Sequence, residues 1–260
     1  MPKAATQAPP APASLVQVLS DLGLNARRAP KKSFADRLAE LIDLSGAIDL
    51  SEFLRSLGRI PAQALEADEA TDGPGALLQG RRRDMLRTIS DSFAPAQGGE
   101  PAPAGSFFLP SAKPATLKAD AEAWAPYQRF YSLQQSELER QVTLLRRALR
   151  QQLAVAGPAL AQLAALDATL EGTLADYARR GLAVLPGLLQ KRFVTLAGEQ
   201  RAADAAAGHS SEPGTWLEEG GWLQRFHRDM QRVLVAEVSL RLQPLQGMLD
   251  ALESVKEDAP

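Results

Sequence analysis

A long apolar repeat in the second half of the chain narrows the choice of fold more than any other pattern. From about residue 116 to residue 156 nothing breaks a helix except Pro126, which the first turn of a helix accepts. Apolar residues in this stretch recur at spacings of three, four or seven: Tyr131, Leu138, Val142, Leu145, Leu149 and Ala156. This pattern is the seam of a coiled-coil-like or bundle helix, about 45 Å long if it is continuous from residue 127.

The segments that follow predict antiparallel partners for this helix. A Gly–Pro pair at residues 157–158 ends the long helix and starts the next, because Pro suits the first helical position. The returning helix breaks or kinks at Pro186, and residues 200–214 form a loop of small residues. A last helix is predicted over about residues 222–252, with a bend at Pro244. Together these helices predict a bundle.

The composition supports an all-α fold. The apolar fraction of 45% suffices for a sizeable core, and aromatic residues are only 5%. Ala and Leu dominate the apolar fraction, while Val and Ile are scarce. Ala and Leu are strong helix formers, whereas strands favour β-branched and aromatic residues. The predicted fold is a long-helix antiparallel bundle with a small N-terminal cluster of short helices.

Changes in composition divide the chain into four segments. Residues 1–13 are rich in Pro and Ala and are predicted to be a disordered arm. Residues 14–94 form an N-terminal helical region, followed by a Pro/Gly-rich linker at 95–115 and the long-helix bundle at 116–260. The N-terminal region is predicted to contain short helices and one longer helix, which start as follows: at Ser14, at Ser33, at Asp49 or Ser51, and at about Leu77.

Several classes of catalytic chemistry lack their residues. The chain has no cysteine, which excludes thiol nucleophiles, disulfides and Cys-ligated metals. Gly-rich phosphate loops, dinucleotide-binding turns and Glu-x-x-His metal pairs do not occur. His227 is a candidate general base with Asp229 two positions on, but positions i and i+2 face different sides of a helix. We expect no enzymatic activity, cofactor or metal; an enzyme with an unfamiliar site around His227 is the alternative.

The same residues indicate where the protein works. No apolar run reaches the roughly 18 residues that a membrane helix needs, and the N-terminus lacks the apolar core of a secretory signal. We therefore expect a cytoplasmic protein. Its formal net charge of −2 gives the whole molecule no strong attraction to nucleic acid or to anionic lipid.

Arginine is nevertheless concentrated at particular places. Two clusters supply candidate nucleic-acid contacts: Arg81, Arg82, Arg83 and Arg87 in the first, and Arg140, Arg146, Arg147 and Arg150 in the second. A third basic cluster lies at residues 27–32. Such clusters predict sequence-independent, salt-sensitive binding to phosphates. The alternative is a solvated helix face balanced by neighbouring acids, which the net charge favours.

Aromatic residues near the starts of two predicted helices supply a second kind of candidate site. The candidate docking positions for a protein partner are Trp124, Tyr127, Tyr131, Trp222 and Phe226. Large aromatic side chains of this kind anchor many interfaces. They also fill cores and plug helix ends, and this alternative stays open at the level of the sequence.

Four stretches carry a family resemblance, although none of them is a mechanistic motif: SFADRLAELIDLSGAIDLSEFL (33–54), YQRFYSLQQSELERQVTLLRRALR (127–150), LADYARRGLAVLPGLLQKRF (174–193) and WLQRFHRDMQRVLVAEVSLRLQPL (222–245). The chain resembles a proteobacterial family catalogued as domain of unknown function 3348. Members of that family are similar to a cytosolic component of type III Zorya antiphage defence systems. There they accompany a MotA/TolQ/ExbB-like proton channel and an OmpA-like peptidoglycan-binding partner.

The resemblance implies a soluble subunit that responds to a proton-driven membrane motor and acts with a second soluble protein on invading DNA. It supplies no catalytic residues. The leading hypothesis is therefore a non-enzymatic subunit of a defence complex, with protein partners from the same system and a homo-oligomer also open. The alternative is a helical nucleic-acid-binding protein that uses the arginine clusters, within the same complex or outside it.

Overall fold

The architecture follows from a computed structural model that describes residues 13–24, 44–57, 73–94 and 108–257. Within these ranges every regular element is helical, which confirms the all-α prediction. The α-helices are, in chain order: α1 (Leu15–Asp21), α2 (Leu44–Ser56), α3 (Pro74–Phe93), α4 (Ala121–Ala156), α5 (Pro158–Leu182), α6 (Leu185–Ala207) and α7 (Trp222–Glu257). Two 3₁₀ turns, Pro114–Lys118 and Thr215–Leu217, precede α4 and α7.

The ends of the helices follow local side-chain chemistry. Ser14 caps α1, because its Oγ accepts a hydrogen bond from the Gln17 amide at 3.2 Å. Asp120 caps α4 in the same way, with its Oδ1 2.9 Å from the amide nitrogen of Ala123. Gly208 ends α6 in the left-handed conformation, at φ 71°. The predicted break at Pro186 is confirmed, since α5 ends before it and α6 begins one residue earlier.

Three predicted boundaries differ from the structure, and a fourth lies outside the described residues. The long helix starts at Ala121 rather than near residue 116, because Ala119 adopts a left-handed φ of 54° that separates the 3₁₀ turn from α4. Helix α2 begins at Leu44, earlier than the predicted start at Asp49 or Ser51. The predicted loop at 200–214 is helical as far as Ala207, since its small residues include strong helix formers. The start of the helix predicted from Ser33 falls outside the described residues, so that prediction is not tested.

Helix α7 is the central element of the packing. It contacts α1, α3, α4, α5 and α6, and it continues without interruption through Pro244. Helices α4 and α5 form an antiparallel hairpin on one side of it, and α2 packs against α5. In the described residues no helix has an apolar stretch long enough to span a bilayer.

The N-terminal helices share the core of the long helices. Buried residues of α1 and α3, including Val18, Leu78 and Met85, belong to the same hydrophobic cluster as the seam of α4. The end of the predicted linker also packs against this cluster, through the partly buried side chains of Leu109 and Ala112. Residues 95–107 of that linker lie outside the described residues, as does the predicted arm up to residue 12.

Candidate functional site

The candidate docking aromatics occupy the core rather than the surface. All five are almost completely buried: Trp124, Tyr127, Tyr131, Trp222 and Phe226. The ring of Phe193, from α6, joins most of them, with ring centroids 5.2 Å from Tyr127, 5.5 Å from Trp222 and 5.1 Å from Phe226. Edge-to-face and tilted contacts at these distances stabilise a core. The docking hypothesis is therefore wrong for these residues, and the alternative that they plug the bundle is correct.

His227 lies at the edge of this aromatic core. Its ring is 5.8 Å from that of Tyr127, and its Nε2 is buried without a hydrogen-bond partner in the described part of the chain. Burial lowers the pKa of His227 to about 4, so the ring is neutral at physiological pH. The carboxylate of Asp229 instead accepts a hydrogen bond from Arg192 on α6 at 2.8 Å. The suggested His–carboxylate pair is therefore not assembled.

A buried carboxylate, Glu237, organises a polar network between α4, α5 and α7. It accepts hydrogen bonds from Tyr131 Oη at 2.9 Å, from Gln135 Nε2 at 3.1 Å and from Arg241 Nε at 2.9 Å. Gln135 Nε2 also lies 3.3 Å from the Leu182 carbonyl oxygen, near the end of α5. Burial, together with the Glu237 carboxylate, raises the pKa of Tyr131 well above its usual value, so the phenol remains a donor.

Sequence reasoning missed this network, although a signal was present. Glu237 is flanked by Ala236 and Val238, and it falls in phase with the apolar stripe of α7. A carboxylate in that phase must be buried, and buried charges are almost always paired. Arg241 supplies the pairing cation one turn later. The network around Glu237 is therefore a structural contact in which the carboxylate is fully hydrogen-bonded, and it fixes how three helices meet.

Two arginines of the second predicted cluster are used inside the α4–α5 hairpin. Arg146 and Arg150 both contact Asp167, with N–O distances of 2.6 Å, and Arg150 also contacts Glu171 at 2.6 Å. The two guanidinium groups are mostly buried, and the paired carboxylates neutralise them. Arg146 and Arg150 are therefore not free to bind phosphates, which corrects their assignment as nucleic-acid contacts.

The other two arginines of this cluster remain at the surface of α4. Arg140 forms a pair with Glu137 one turn earlier, at 2.6 Å, and its hydrogen bond lowers the pKa of that carboxyl group. Arg147 is exposed and has no acidic partner among the described residues. Two large apolar side chains lie on the same outward face: Leu133 is 40% exposed and Leu144 is 56% exposed.

The first arginine cluster, on α3, is divided by the packing. Arg81, Arg83 and Arg87 are exposed, and no carboxylate of the described residues lies within ion-pair distance of them. Arg82 is half-buried and lines a groove that faces α1 and α7. The third basic cluster, at residues 27–32, lies outside the described residues. Of the predicted nucleic-acid contacts, three on α3 and Arg147 on α4 therefore present to solvent a guanidinium group that no described carboxylate pairs with.

Carboxylates on the long helices pair with arginines. Glu137 is paired with Arg140, Asp176 with Arg179, and Asp167 with two arginines of α4. In the part of the chain that the structure describes, no group of three or more potential ligands lies close enough to hold a metal ion.

Comparison with known proteins gives a family but no activity. A family model described as "Protein of unknown function (DUF3348)" matches residues 1–254. No curated protein and no solved structure matches the chain.

Proposed function

We propose that this chain, which belongs to the DUF3348 family of proteins of unknown function, is a non-enzymatic cytosolic subunit of an antiphage defence complex. In this proposal it works with a proton-driven membrane motor and a second soluble protein. The resemblance to the Zorya component supports the choice of complex. The use of its buried acids, arginines and aromatics as structural contacts supports a scaffold rather than an active site.

The observation that carries the proposal is the outward face of α4. Leu133 and Leu144 are eleven positions apart, which is about 16 Å along one face of the helix. Arg140 and Arg147 lie on the same face. Large apolar side chains that stay exposed beside arginines are typical of protein interfaces, where Arg is enriched relative to other charged residues. We expect a protein partner to cover this face.

The experiment is a tagged capture from the native host, divided into nuclease-treated and untreated halves and identified by mass spectrometry. We expect a proton-channel-like membrane protein, or a neighbouring soluble protein, in both halves. Leu144→Asp should remove that partner, because it places a charge in the apolar contact. Val184→Asp is the matched control, since Val184 is also 56% exposed. If the wild-type chain retains neither protein, the subunit proposal is wrong.

A second function is favoured by the arginines of α3. Arg81, Arg83 and Arg87 are exposed without acidic partners in the described residues, so they are available to phosphates. The expected binding weakens steeply as salt rises, and each phosphate contact adds roughly −0.9 to the log–log slope on duplex DNA. Arg83→Glu with Arg87→Glu should abolish it, whereas Arg180→Glu on α5 should not. A slope near zero would exclude nucleic-acid binding through this helix.

A further inference from the structure

A groove between α1, α3 and α7 remains open on the surface of the described residues. Its volume is about 470 Å³. Half of its lining residues are apolar: Leu15 and Val16 from α1, Leu78 from α3, and Ala236, Leu240 and Leu242 from α7. Val16 is 61% exposed and Leu240 is 39% exposed. The groove therefore presents apolar surface that the described residues leave uncovered.

The length of the groove suits a short helix. Its α7 wall extends from Ala236 to Gln246, which is ten residue steps or about 15 Å of helix. The lining positions on this wall include Ala236, Ser239, Gln243 and Gln246 at spacings of three or four, with Leu240 and Leu242 beside them, so they form one continuous face. Helix α3 forms the opposite wall. An added helix of two to three turns would lie between two existing helices, as in helix-in-groove recognition.

The charge of the groove selects among such helices. Arg82 lines one side of it, and no carboxylate of the described residues pairs with that guanidinium group. The other polar lining residues are neutral serines and glutamines, and none is acidic. A partner with an acidic residue at this position would gain a charge-assisted contact, whereas a basic partner would be repelled.

We propose that this groove binds one amphipathic helix of a protein partner, with its apolar stripe on Val16 and Leu240 and an acidic residue opposite Arg82. An apolar floor offers nothing to the phosphates of a nucleic acid, which separates this groove from the exposed arginines of the same helix. The inference goes beyond the proposed defence role and does not depend on it, because the groove and the outward face of α4 consist of different residues.

The partner helix is identified first by cross-linking. The full chain, with a benzoylphenylalanine at position 16, is expressed in its host and irradiated, and the cross-linked peptide is sequenced by mass spectrometry. The same group at position 184 is the control. The expected product is a peptide of another protein with apolar residues every three or four positions and an adjacent Asp or Glu. A cross-link to a second copy, to another part of the same chain or to nucleic acid would overturn the proposal, as would no cross-link specific to position 16.

The mapped segment is then made as a synthetic peptide, and its affinity is measured by fluorescence anisotropy. Leu240→Asp should weaken binding by about tenfold or more, as for loss of a central apolar contact. Arg82→Glu should weaken binding as well. A peptide whose acidic residue is replaced by Lys should restore binding to this Arg82→Glu variant. Arg83→Glu, which faces outward, should weaken binding less than Arg82→Glu does, because it changes the charge of α3 equally but removes no contact in the groove.

Folding of each variant is checked by its thermal midpoint. If Leu240→Asp fails to fold, Val16→Asp replaces it, because that side chain is more exposed. Peptide binding that survives both the apolar and the charge substitutions would refute the groove as the binding site. By contrast, if the wild-type chain captures no partner in the tagged experiment described above, that result counts only against the defence-complex proposal.

Discussion

The buried pair of Glu237 and Arg241 predicts a strongly asymmetric mutational cycle. Replacing Arg241 by Met leaves Glu237, which is fully buried, with only the neutral donors Tyr131 and Gln135. Removing one partner of a buried ion pair costs about 3–5 kcal/mol, because the remaining charge has neither water nor a counter-ion. We therefore expect Arg241→Met to lower the free energy of unfolding by about that amount.

Removing both charges together should cost much less. In Glu237→Leu with Arg241→Met no charge remains at this site, and apolar replacement of a buried pair is often neutral. The hydroxyl of Tyr131 then lacks its acceptor, which costs about 1–3 kcal/mol. Adding Tyr131→Phe should recover most of that loss. The double variant should therefore be more stable than Arg241→Met alone, although it carries more changes.

The assay is urea unfolding followed by the fluorescence of the buried tryptophans and by circular dichroism. The matched control is a second cycle on the surface pair of Arg232 and Asp21, whose side chains are 45% and 42% exposed. Its coupling energy should stay below about 1 kcal/mol. If the Glu237/Arg241 double variant loses as much stability as the sum of the single variants, the charge argument is refuted and packing alone explains the losses.

Three further substitutions test other parts of the core. Because burial lowers the pKa of His227 to about 4, its unfolded form binds a proton that the folded form does not, and stability falls as pH drops from about 6.5. Between pH 7 and pH 4.5 the free energy of unfolding of the wild type should fall by about 2.5 kcal/mol more than that of His227→Phe, measured by urea unfolding. Equal decreases would contradict this. Gly221→Ala should destabilise by about 1–3 kcal/mol, because the added Cβ would lie 2.3 Å from the Trp216 carbonyl oxygen, whereas Gly187→Ala meets open space and should not. Phe193→Ala should cost about 3–5 kcal/mol in the same assay, and a smaller loss would mean that the aromatic core repacks.

The apolar period predicted the long helices well, because burial of a stripe at helical spacing decides both structure and packing. Leu138, Val142, Leu145 and Leu149 are all buried as the seam of α4. The period could not locate the start of that helix, since the left-handed residue at Ala119 is an alanine, which gives no signal for such a conformation. Local propensity is weakest where a few residues decide the geometry.

The pairing of the polar residues was harder to predict, because it depends on how neighbouring helices align. Arg150 lies seven residues before Gly157, and Asp167 lies ten residues after it. An antiparallel hairpin that turns at that glycine brings these two positions within about one turn of each other. The pairing was thus available from the sequence once the turn was placed. No comparable rule says that Glu237 meets Tyr131, because those helices are distant in sequence and only the complete fold joins them.

Internal pairing also explains why the net charge is a poor guide to partners. Four mostly buried arginines, on α4, α6 and α7, are matched by four carboxylates, so the interior contributes no net charge: Arg146, Arg150, Arg192 and Arg241 with Asp167, Glu171, Asp229 and Glu237. Helix α3, in contrast, carries four arginines and two aspartates, which is +2 over its length. Fields are screened beyond about 8–10 Å, so an approaching partner senses this helix rather than the whole molecule. Although its net charge is slightly negative, this chain can therefore bind an acidic partner on α3. Such binding should weaken as ionic strength rises.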